Sequence, residues 1–507
     1  MTREDTAHPE TPDGLCLHRA DVELFAAASG DANPLHVSPE YARATPFGAP
    51  IAHGMLAALA LLDRLDTGDG ADVADLTVDF RTPLRPGAEY PLRTVGAGGA
   101  VRRVQVRDGA RVCTALSVRP GVASGDEPAP GPAPTRPAAA TWRREELREG
   151  LTVTGSYGPP PEPLARLCER YPAAAHRLGP LRLSCLLWSS YLTGMELPGQ
   201  VALLCRARLR FYGGPVAAGG GPLRYSARLA RVDPQLGMLT LRGELTLAGV
   251  PVAQAEIDAL TLWPVDGPDP DRLAAALPPS SALSGRTAVV VGGSRGLGAA
   301  LALALASQGC AVLVGHRGGA ERVGVLAGQA ARAGGTIRSV PGDAGDPRWG
   351  ARVAAELRPA GLDLLVCSAA PPPRTLALEP GTLAPFADFV SETLRPVAAP
   401  LATLLPLVRS AEGCALAVST SAVETRPAVW PQYVTAKSAV EGLWAWAAAQ
   451  YPEVRFLLAR PGMLLTDQMN TPMTRDEAGA VEPVAAALVR DLLRAAPSPG
   501  TVTLLRP

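Results

Sequence analysis

The sequence predicts three folded regions. Two are α+β units, each an apolar helix followed by antiparallel strands, and the third is a doubly wound α/β unit on a parallel sheet. Three observations carry this. Two stretches rich in Pro, Ala and Gly, at 121–140 and 266–284, divide the chain. They read as linkers, poor in large apolar residues and stiffened by proline. The regions at 1–120 and 141–265 repeat one plan, which suggests an internal duplication. The region at 285–507 alternates short apolar strands with helices. At 507 residues the chain has room for about three domains of ~150 residues each.

In the first region ADVELFAAASG and IAHGMLAALALLDRL are helical, and ADLTVDFRTPLRPG, YPLRTVGAG, VRRVQVRDG and RVCTALSVRP alternate as strands. In the second, PLRLSCLLWSSYL is the helix, preceded by the loop 161–180. Four strands follow, from QVALLCRARLRFYGG to VPVAQAEIDALTLWP. In the third, RTAVVVGG is a strand rich in β-branched residues and AALALALASQG a helix ending at Gly309. AVLVGH, LDLLVCSAA, GCALAVSTS and VRFLLARPG are further strands.

Composition narrows the function. Lys+Arg and Asp+Glu balance at 48 each, so there is no basic field for nucleic acid or an anionic membrane. The eight cysteines are scattered, without C-x-x-C or a Cys/His cluster, which argues against a zinc site and for a reducing compartment. No metal is expected. The polar N-terminus does not read as a signal peptide and no apolar run reaches ~18 residues, so the expectation is a cytoplasmic protein off the membrane. The chain has 47 Arg but one Lys, Lys437, and two Asn, Asn33 and Asn470. Residues this scarce draw attention to the positions that keep them.

SGDANPLH at 29–36 places Asp31, Asn33 and His36 on one Pro-containing loop. A carboxylate beside an imidazole suits proton transfer on both sides of a C–C bond, although D-x-N-P is also good turn chemistry. His53-Gly54 opens an apolar helix, whose first N–H groups can serve a thioester enolate oxygen. The second region carries no such motif, and its lone His176 reads as structural.

In the third region VVVGGSRGLG at 289–298 links a strand to a helix. Its glycines Gly292, Gly296 and Gly298 allow a tight turn and a pyrophosphate at the helix N-terminus. Ser294, Arg295 and Leu297 lie in the same turn. The second strand ends in His316-Arg317 with no acidic residue, and with Arg295 nearby this favours the 2′-phosphate of NADP(H) over NAD. Tyr433 and Lys437 form Y-x-x-x-K on one helix face. An ammonium beside a phenol lowers the phenol pKa and suits it to proton donation.

The first region, with A-x-x-F-G at 44–48, the H-G-M helix start and VDFRTPLRPG, resembles the MaoC-like R-specific hydratases and dehydratases, a hotdog family. The resemblance implies Asp31 and His36 as the acid–base pair, Asn33 and His53 in support and the Gly54 amide at the oxyanion. The second region then reads as a non-catalytic hotdog that completes a pseudo-dimer. The third region resembles the short-chain dehydrogenase/reductases, with G-x-x-x-G-x-G, Y-x-x-x-K and Pro461-Gly462 followed by Thr466. The implied fold is an α+β double hotdog followed by an α/β Rossmann-type doubly wound parallel sheet. Implied roles are Tyr433 as proton donor, Lys437 as its activator and ribose anchor, Asp343 at the adenine, and Pro461, Gly462 and Thr466 at the nicotinamide. The carbonyl-holding hydroxyl falls on Thr420, flanked by Ser419 and Ser421, any of which could act. Two departures stand out: Cys367-Ser368-Ala369-Ala370 replaces N-N-A-G, and Thr393 replaces the tetrad Asn.

The two chemistries are consecutive. The expectation is a bifunctional 3-ketoacyl-thioester reductase and 3-hydroxyacyl-thioester dehydratase on CoA or acyl carrier protein, in polyketide or fatty-acid biosynthesis, self-associating as a dimer or larger. The alternative is one active region with the other as scaffold.

Overall fold

The structure, a computed structural model, describes residues 14–65, 72–95, 101–121, 128–212, 221–357, 361–471, 474–494 and 499–507. The chain divides into two compact units, the first ending at Trp263 and the second starting at Pro264, with the short segment Ala44–Gly48 grouped with the second.

The first unit is a double hotdog. Its nine-stranded antiparallel sheet takes four strands from the first half and five from the second. They join where Asp72–Phe80 pairs with Ala202–Phe211, with Leu76 opposite Leu209 and Val78 opposite Ala207. From that junction outward the first half runs Asp72–Phe80, Arg111–Gly121, Arg102–Asp108, Leu92–Thr94, and the second runs Ala202–Phe211, Val250–Thr261, Met238–Leu247, Leu223–Asp233. Both follow the chain order first, fourth, third, second, the mark of a duplicated topology. Thr152–Tyr157 adds a ninth strand at the far edge. Side chains alternate in burial along the strands, so one face is apolar and covers the helices Gly54–Arg64 and Pro172–Tyr191. Gly54–Arg64 and the stretch from residue 181 to 191 are buried on almost every side, which is why they show no polar stripe.

Two stretches depart from the sequence reading. The supposed loop 161–180 is largely helical, as Pro161–Arg170 and the first turns of Pro172–Tyr191, which breaks at Gly179. Proline at the first position starts each helix instead of preventing it. The supposed linker is pinned down over 128–140: Gly131 N–H donates to Gly221 at 2.9 Å and Ala140 N–H to Met195 at 2.8 Å. Arg136 N–H donates to the Tyr191 hydroxyl at 3.2 Å. Backbone hydrogen bonds need no apolar side chain, so composition could not reveal this docking. Residues 122–127 of that call lie outside the described residues.

The second unit is a seven-stranded parallel sheet in chain order 3-2-1-4-5-6-7, from Thr336–Pro341 at one edge to Val502–Leu505 at the other. Helices Gly296–Ser307 and Val481–Arg494 belong to the core on one face; Pro347–Leu357, Leu383–Ser410 and Pro431–Gln450 belong to that on the other. The strand order reverses between Thr287–Val291 and Leu364–Cys367, the crevice where this architecture binds ligands. The second supposed linker contributes here. It forms the helix Pro270–Ala276, capped by Asp269, and buries Leu273 and Leu277 in the core.

Candidate active sites

In the first unit Asn33 caps the short helix Pro34–Val37 by accepting from Leu35 N–H, which swings His36 back toward Asp31. His53 caps the helix Gly54–Arg64, and its ring stacks on His36 with centroids 3.9 Å apart. Asp31, Asn33, His36, His53 and Gly54 all line one pocket, with apolar walls that include Ile51, Phe80 and Leu204. The structure thus brings these five sequence-predicted residues to one cavity.

The second half completes the site. Ser190 donates its hydroxyl to Asp31 Oδ2 at 2.7 Å. Asn33 Nδ2 donates to the carbonyls of Gly194 and Gly199 at 2.9 and 3.0 Å. Sequence reading missed Ser190 and Gly194, because nothing local links them to a loop about 160 residues away. One signal was available: the run SCLLWSSYLTG keeps five hydroxyls, those of Ser184, Ser189, Ser190, Tyr191 and Thr193, in an otherwise apolar buried stretch.

The hydrogen bonds fix the tautomers. A carbonyl oxygen only accepts, so His36 donates from Nδ1 to Ile51 at 2.9 Å and His53 from Nε2 to the Asp31 carbonyl at 2.9 Å. His36 Nε2 is left as a lone-pair nitrogen. Burial pushes His36 down to about 3, with His53 adding to the effect and Asp31 opposing it. Burial likewise lowers His53 to about 4 and raises the Asp31 carboxyl. At neutral pH His36 is therefore an unprotonated base beside a carboxyl that holds its proton unusually well. Asp31, His36 and His53 could also group around a metal ion, their ligand-type atoms lying within 4.8 Å of one another. One nitrogen of each imidazole is already engaged as a donor. The Gly54 amide opens its helix without an intrahelical acceptor. A Cβ there would meet the Phe80 ring and Leu204 at 3.1 Å, tighter than ordinary contact, so the close approach favours glycine.

In the second unit the Gly-rich turn follows Thr287–Val291 and opens Gly296–Ser307. Gly292 has φ +79°, and a Cβ on it would lie 2.7 Å from the Ala369 backbone. A Cβ on Gly298 would lie 2.3 Å from the Gly292 carbonyl, and one on Gly296 would lie 3.1 Å from the Thr466 methyl. Leu297 is buried and Ser294 lies beside Gly319. Arg317 and Asp343 are exposed. Arg295 is not simply open to solvent: its guanidinium stands 3.5 Å from buried Asp467, which also takes Arg322 at 2.7 Å.

Tyr433 and Lys437 share a face of Pro431–Gln450, with Lys437 Nζ 6.0 Å from the Tyr433 ring centroid. Tyr433 is hydrogen-bonded to Thr420, which counters the upward pull of burial on the phenol. Burial lowers the Lys437 ammonium to about 8, opposed by Glu441. Lys437 donates to the Val418 carbonyl at 2.9 Å. Of the three hydroxyls, Ser419 is turned away to Glu441 at 2.6 Å and Ser421 begins the short helix Ala422–Thr425, leaving Thr420 as Tyr433's neighbour. Ser421 N–H donates to Pro461, which joins the Pro461-Gly462 turn to this loop. Thr393 is buried and donates to Phe389 of its own helix at 2.8 Å.

A model of the MaoC like domain matches residues 3–116, and a short chain dehydrogenase model matches residues 286–478. A 3-hydroxybutyryl-CoA dehydratase of Methylorubrum extorquens is 44% identical over 74 residues, 14% of this chain and 47% of that protein. An (R)-specific enoyl-CoA hydratase of Rhodospirillum rubrum is 40% identical over 74 residues, 14% of this chain and 51% of that protein. The chain thus spans about half the length of these two relatives. An uncharacterized oxidoreductase of Mycobacterium tuberculosis is 30% identical over 213 residues, 41% of this chain and 80% of that protein.

Proposed function

We propose that this chain, which belongs to the MaoC-like family through its N-terminal region and to the short-chain dehydrogenases through its C-terminal one, performs two consecutive steps on an acyl thioester. The first is NADPH-dependent reduction of a 3-ketoacyl thioester, and the second is dehydration of the 3-hydroxyacyl product to the 2-enoyl thioester. The carrier is CoA or acyl carrier protein, in fatty-acid or polyketide metabolism. The observation that carries the reading is the convergence of Asp31 and His36 on one pocket, with His36 Nε2 free.

In dehydration, His36 Nε2 takes the proton from C2 and the Gly54 amide supports the enolate oxygen. The C3–O bond breaks, and the hydroxide leaves as water with the proton of the Asp31 carboxyl. The pair starts and ends with one proton between its two members, so its one-proton form is active in both directions.

In reduction, Thr420 holds the ketone oxygen and Tyr433 gives it a proton. Lys437, kept close to neutral pH by burial, draws the phenol toward ionisation. The glycine turn fits a dinucleotide, since Cβ atoms on Gly292 and Gly298 would fill the close approaches that form it. A nicotinamide dinucleotide bound there supplies the hydride. Gly292, Ser294, Arg295, Gly296, Leu297 and Gly298 would hold its phosphates. Asp343 would hold the adenine, Lys437 the ribose, and Pro461, Gly462 and Thr466 the nicotinamide. Exposed Arg317 favours the 2′-phosphate of NADP.

Incubation of the protein with NADPH and a 3-ketoacyl thioester, followed by absorbance and product mass, tests the reading. Both 3-hydroxyacyl and 2-enoyl products are expected. A single-activity dehydratase is the second reading, favoured by Thr393, which is turned into its own helix where an amide would relay protons to Lys437. NADPH consumption without any 2-enoyl product, or dehydration of an added 3-hydroxyacyl thioester with no NADPH consumption on the 3-ketoacyl one, would reduce the proposal to one activity.

A further inference from the structure

One strand of the first unit carries a hydroxyl where its neighbours carry hydrocarbon. Asp72–Phe80 and Arg111–Gly121 pair so that Leu76 stands opposite Val118, Val78 opposite Leu116 and Phe80 opposite Thr114. Alternation puts all six on the apolar face of the sheet. On its other side Thr114 stands opposite Val106. Thr114 is therefore buried between two side chains, Phe80 and Val106, that offer no hydrogen bond. It also lines the pocket of Asp31 and His36. Two other buried hydroxyls line that pocket, and the protein engages both. Thr193 donates to the Ser189 carbonyl at 2.9 Å, and Ser190 donates to Asp31 at 2.7 Å. The Thr114 side chain hydrogen-bonds to none of the described residues. A buried hydroxyl left without a partner is costly, and here its open side is the pocket. Its place narrows the ligand. The Phe80 ring lies 3.1 Å from where a Cβ on Gly54 would stand. Thr114 is thus one strand spacing, about 5 Å, beyond the ring that covers the Gly54 amide. Arg81 and Thr82, which follow Phe80, are exposed and line the same pocket, so it opens on this side.

We propose that Thr114 binds the thiol arm of the substrate, by a hydrogen bond to the first amide beyond the thioester sulfur. In a cysteamine-type arm two methylenes separate the sulfur from that amide, a span comparable to one strand spacing. With the thioester oxygen at the Gly54 amide, the arm passes Phe80 on its way to the open end and brings its amide to Thr114. An amide both donates and accepts, and so does a hydroxyl. An unsubstituted acyl chain offers no such group. CoA and acyl carrier protein present the same amide, so the contact recognises the arm they share. The proposal rests on the reading that this pocket dehydrates an acyl thioester.

Two thioesters of one 3-hydroxyacyl group isolate the contact: the N-acetylcysteamine thioester, and a pentyl thioester with methylenes in place of the amide. Thr114→Val keeps the shape and removes the hydroxyl. It should lower the ratio of kcat/KM for the amide thioester over the pentyl one by about three- to tenfold, the worth of a neutral hydrogen bond. The loss should fall on KM with kcat little changed, as for binding made equally in ground and transition states. Thr114→Ser retains the hydroxyl and should retain the ratio. Thr114→Ala serves if the valine variant does not fold. The same rise in KM is expected with the CoA and the acyl-carrier-protein thioester, whichever the wild type turns over faster. A rise on one carrier alone would mean that Thr114 reads the carrier and not the amide, and would overturn the proposal. An unchanged ratio, or an equal loss on the amide and pentyl thioesters, would overturn it as well. A wild type that dehydrates no 3-hydroxyacyl thioester overturns the reading beneath it. Calorimetric binding of the saturated acyl thioesters, which have no hydroxyl to lose, separates the two failures: the amide-dependent ratio and its loss in Thr114→Val are expected there without turnover.

Discussion

The two candidate sites solve one problem differently. Each must keep an ionisable side chain in a protonation state that water would not favour. In the first unit Asp31 and His36 come from one loop but are held from outside it: Asp31 by Ser190, His36 by the Ile51 carbonyl, and the loop's Asn33 by the Gly194 carbonyl. In the second, Tyr433 and Lys437 come from one helix and are held from its own neighbourhood, by Thr420 and the Val418 carbonyl. Burial carries His36 down to about 3 but Lys437 only to about 8. The first site is thus fixed in a neutral base form, while the second stays poised near physiological pH. A repeated fold makes the first arrangement possible: the half without the Asp–His motif supplies the helix that reaches Asp31.

The largest effect is expected in the first site. Asp31→Asn should cost about two to four orders of magnitude in dehydration, the scale of general acid–base work, and leave NADPH oxidation almost untouched. A dehydration rate retained in both Asp31→Asn and His36→Gln would break the assignment. In the second site Tyr433→Phe should cut ketoreduction by about two orders of magnitude or more with NADPH binding intact. Lys437→Arg should also fail, because a planar guanidinium does not replace a compact ammonium. A wild-type rate in Tyr433→Phe would put the proton donor elsewhere.

A smaller effect concerns the cofactor. Arg317→Ala should weaken NADPH by about ten- to a hundredfold, the worth of a charge-assisted bond, and leave NADH unchanged. Equal NADPH and NADH dissociation constants in the wild type would contradict the basic reading of the second strand.

The smallest is a matter of stability. His36 and His53 take up protons below the ordinary 6.5, at about 3 and about 4. The unfolded chain binds those protons first, so stability is present above pH ~6.5 and is lost as pH falls from there toward ~4, by at most about 1.4 kcal/mol per pH unit for each ring. The raised Asp31 carboxyl works in the opposite sense and offsets part of this loss. Calorimetry between pH 7 and 4.5 should show a falling Tm, flatter in His53→Gln. A slope unchanged by that substitution would mean that His53 is already solvated.

What was legible in the sequence was what is local. Asp31 to His36 and Tyr433 to Lys437 each lie within one turn or loop, so spacing made them visible as pairs, and for Asp31 and His36 the family resemblance supplied the role. The strand periodicity of the repeated halves also survived into the sheet. Ser190 was not legible, since it reaches Asp31 through tertiary packing. Asp467 was not legible either, although it neighbours Thr466, because its partners Arg295 and Arg322 come from two other elements. The Pro-rich stretches misled for a different reason. Residues 128–140 dock through backbone groups, and Pro270–Ala276 needs only Leu273 and Leu277 to seat it.

Product mass from 3-ketoacyl thioester and NADPH, compared across wild type, Asp31→Asn and Tyr433→Phe, tests the division of labour most directly. The expected pattern is 2-enoyl thioester from wild type, arrest at the 3-hydroxyacyl thioester in Asp31→Asn, and unreacted ketone in Tyr433→Phe. Formation of 2-enoyl product at the wild-type rate by either variant would contradict it.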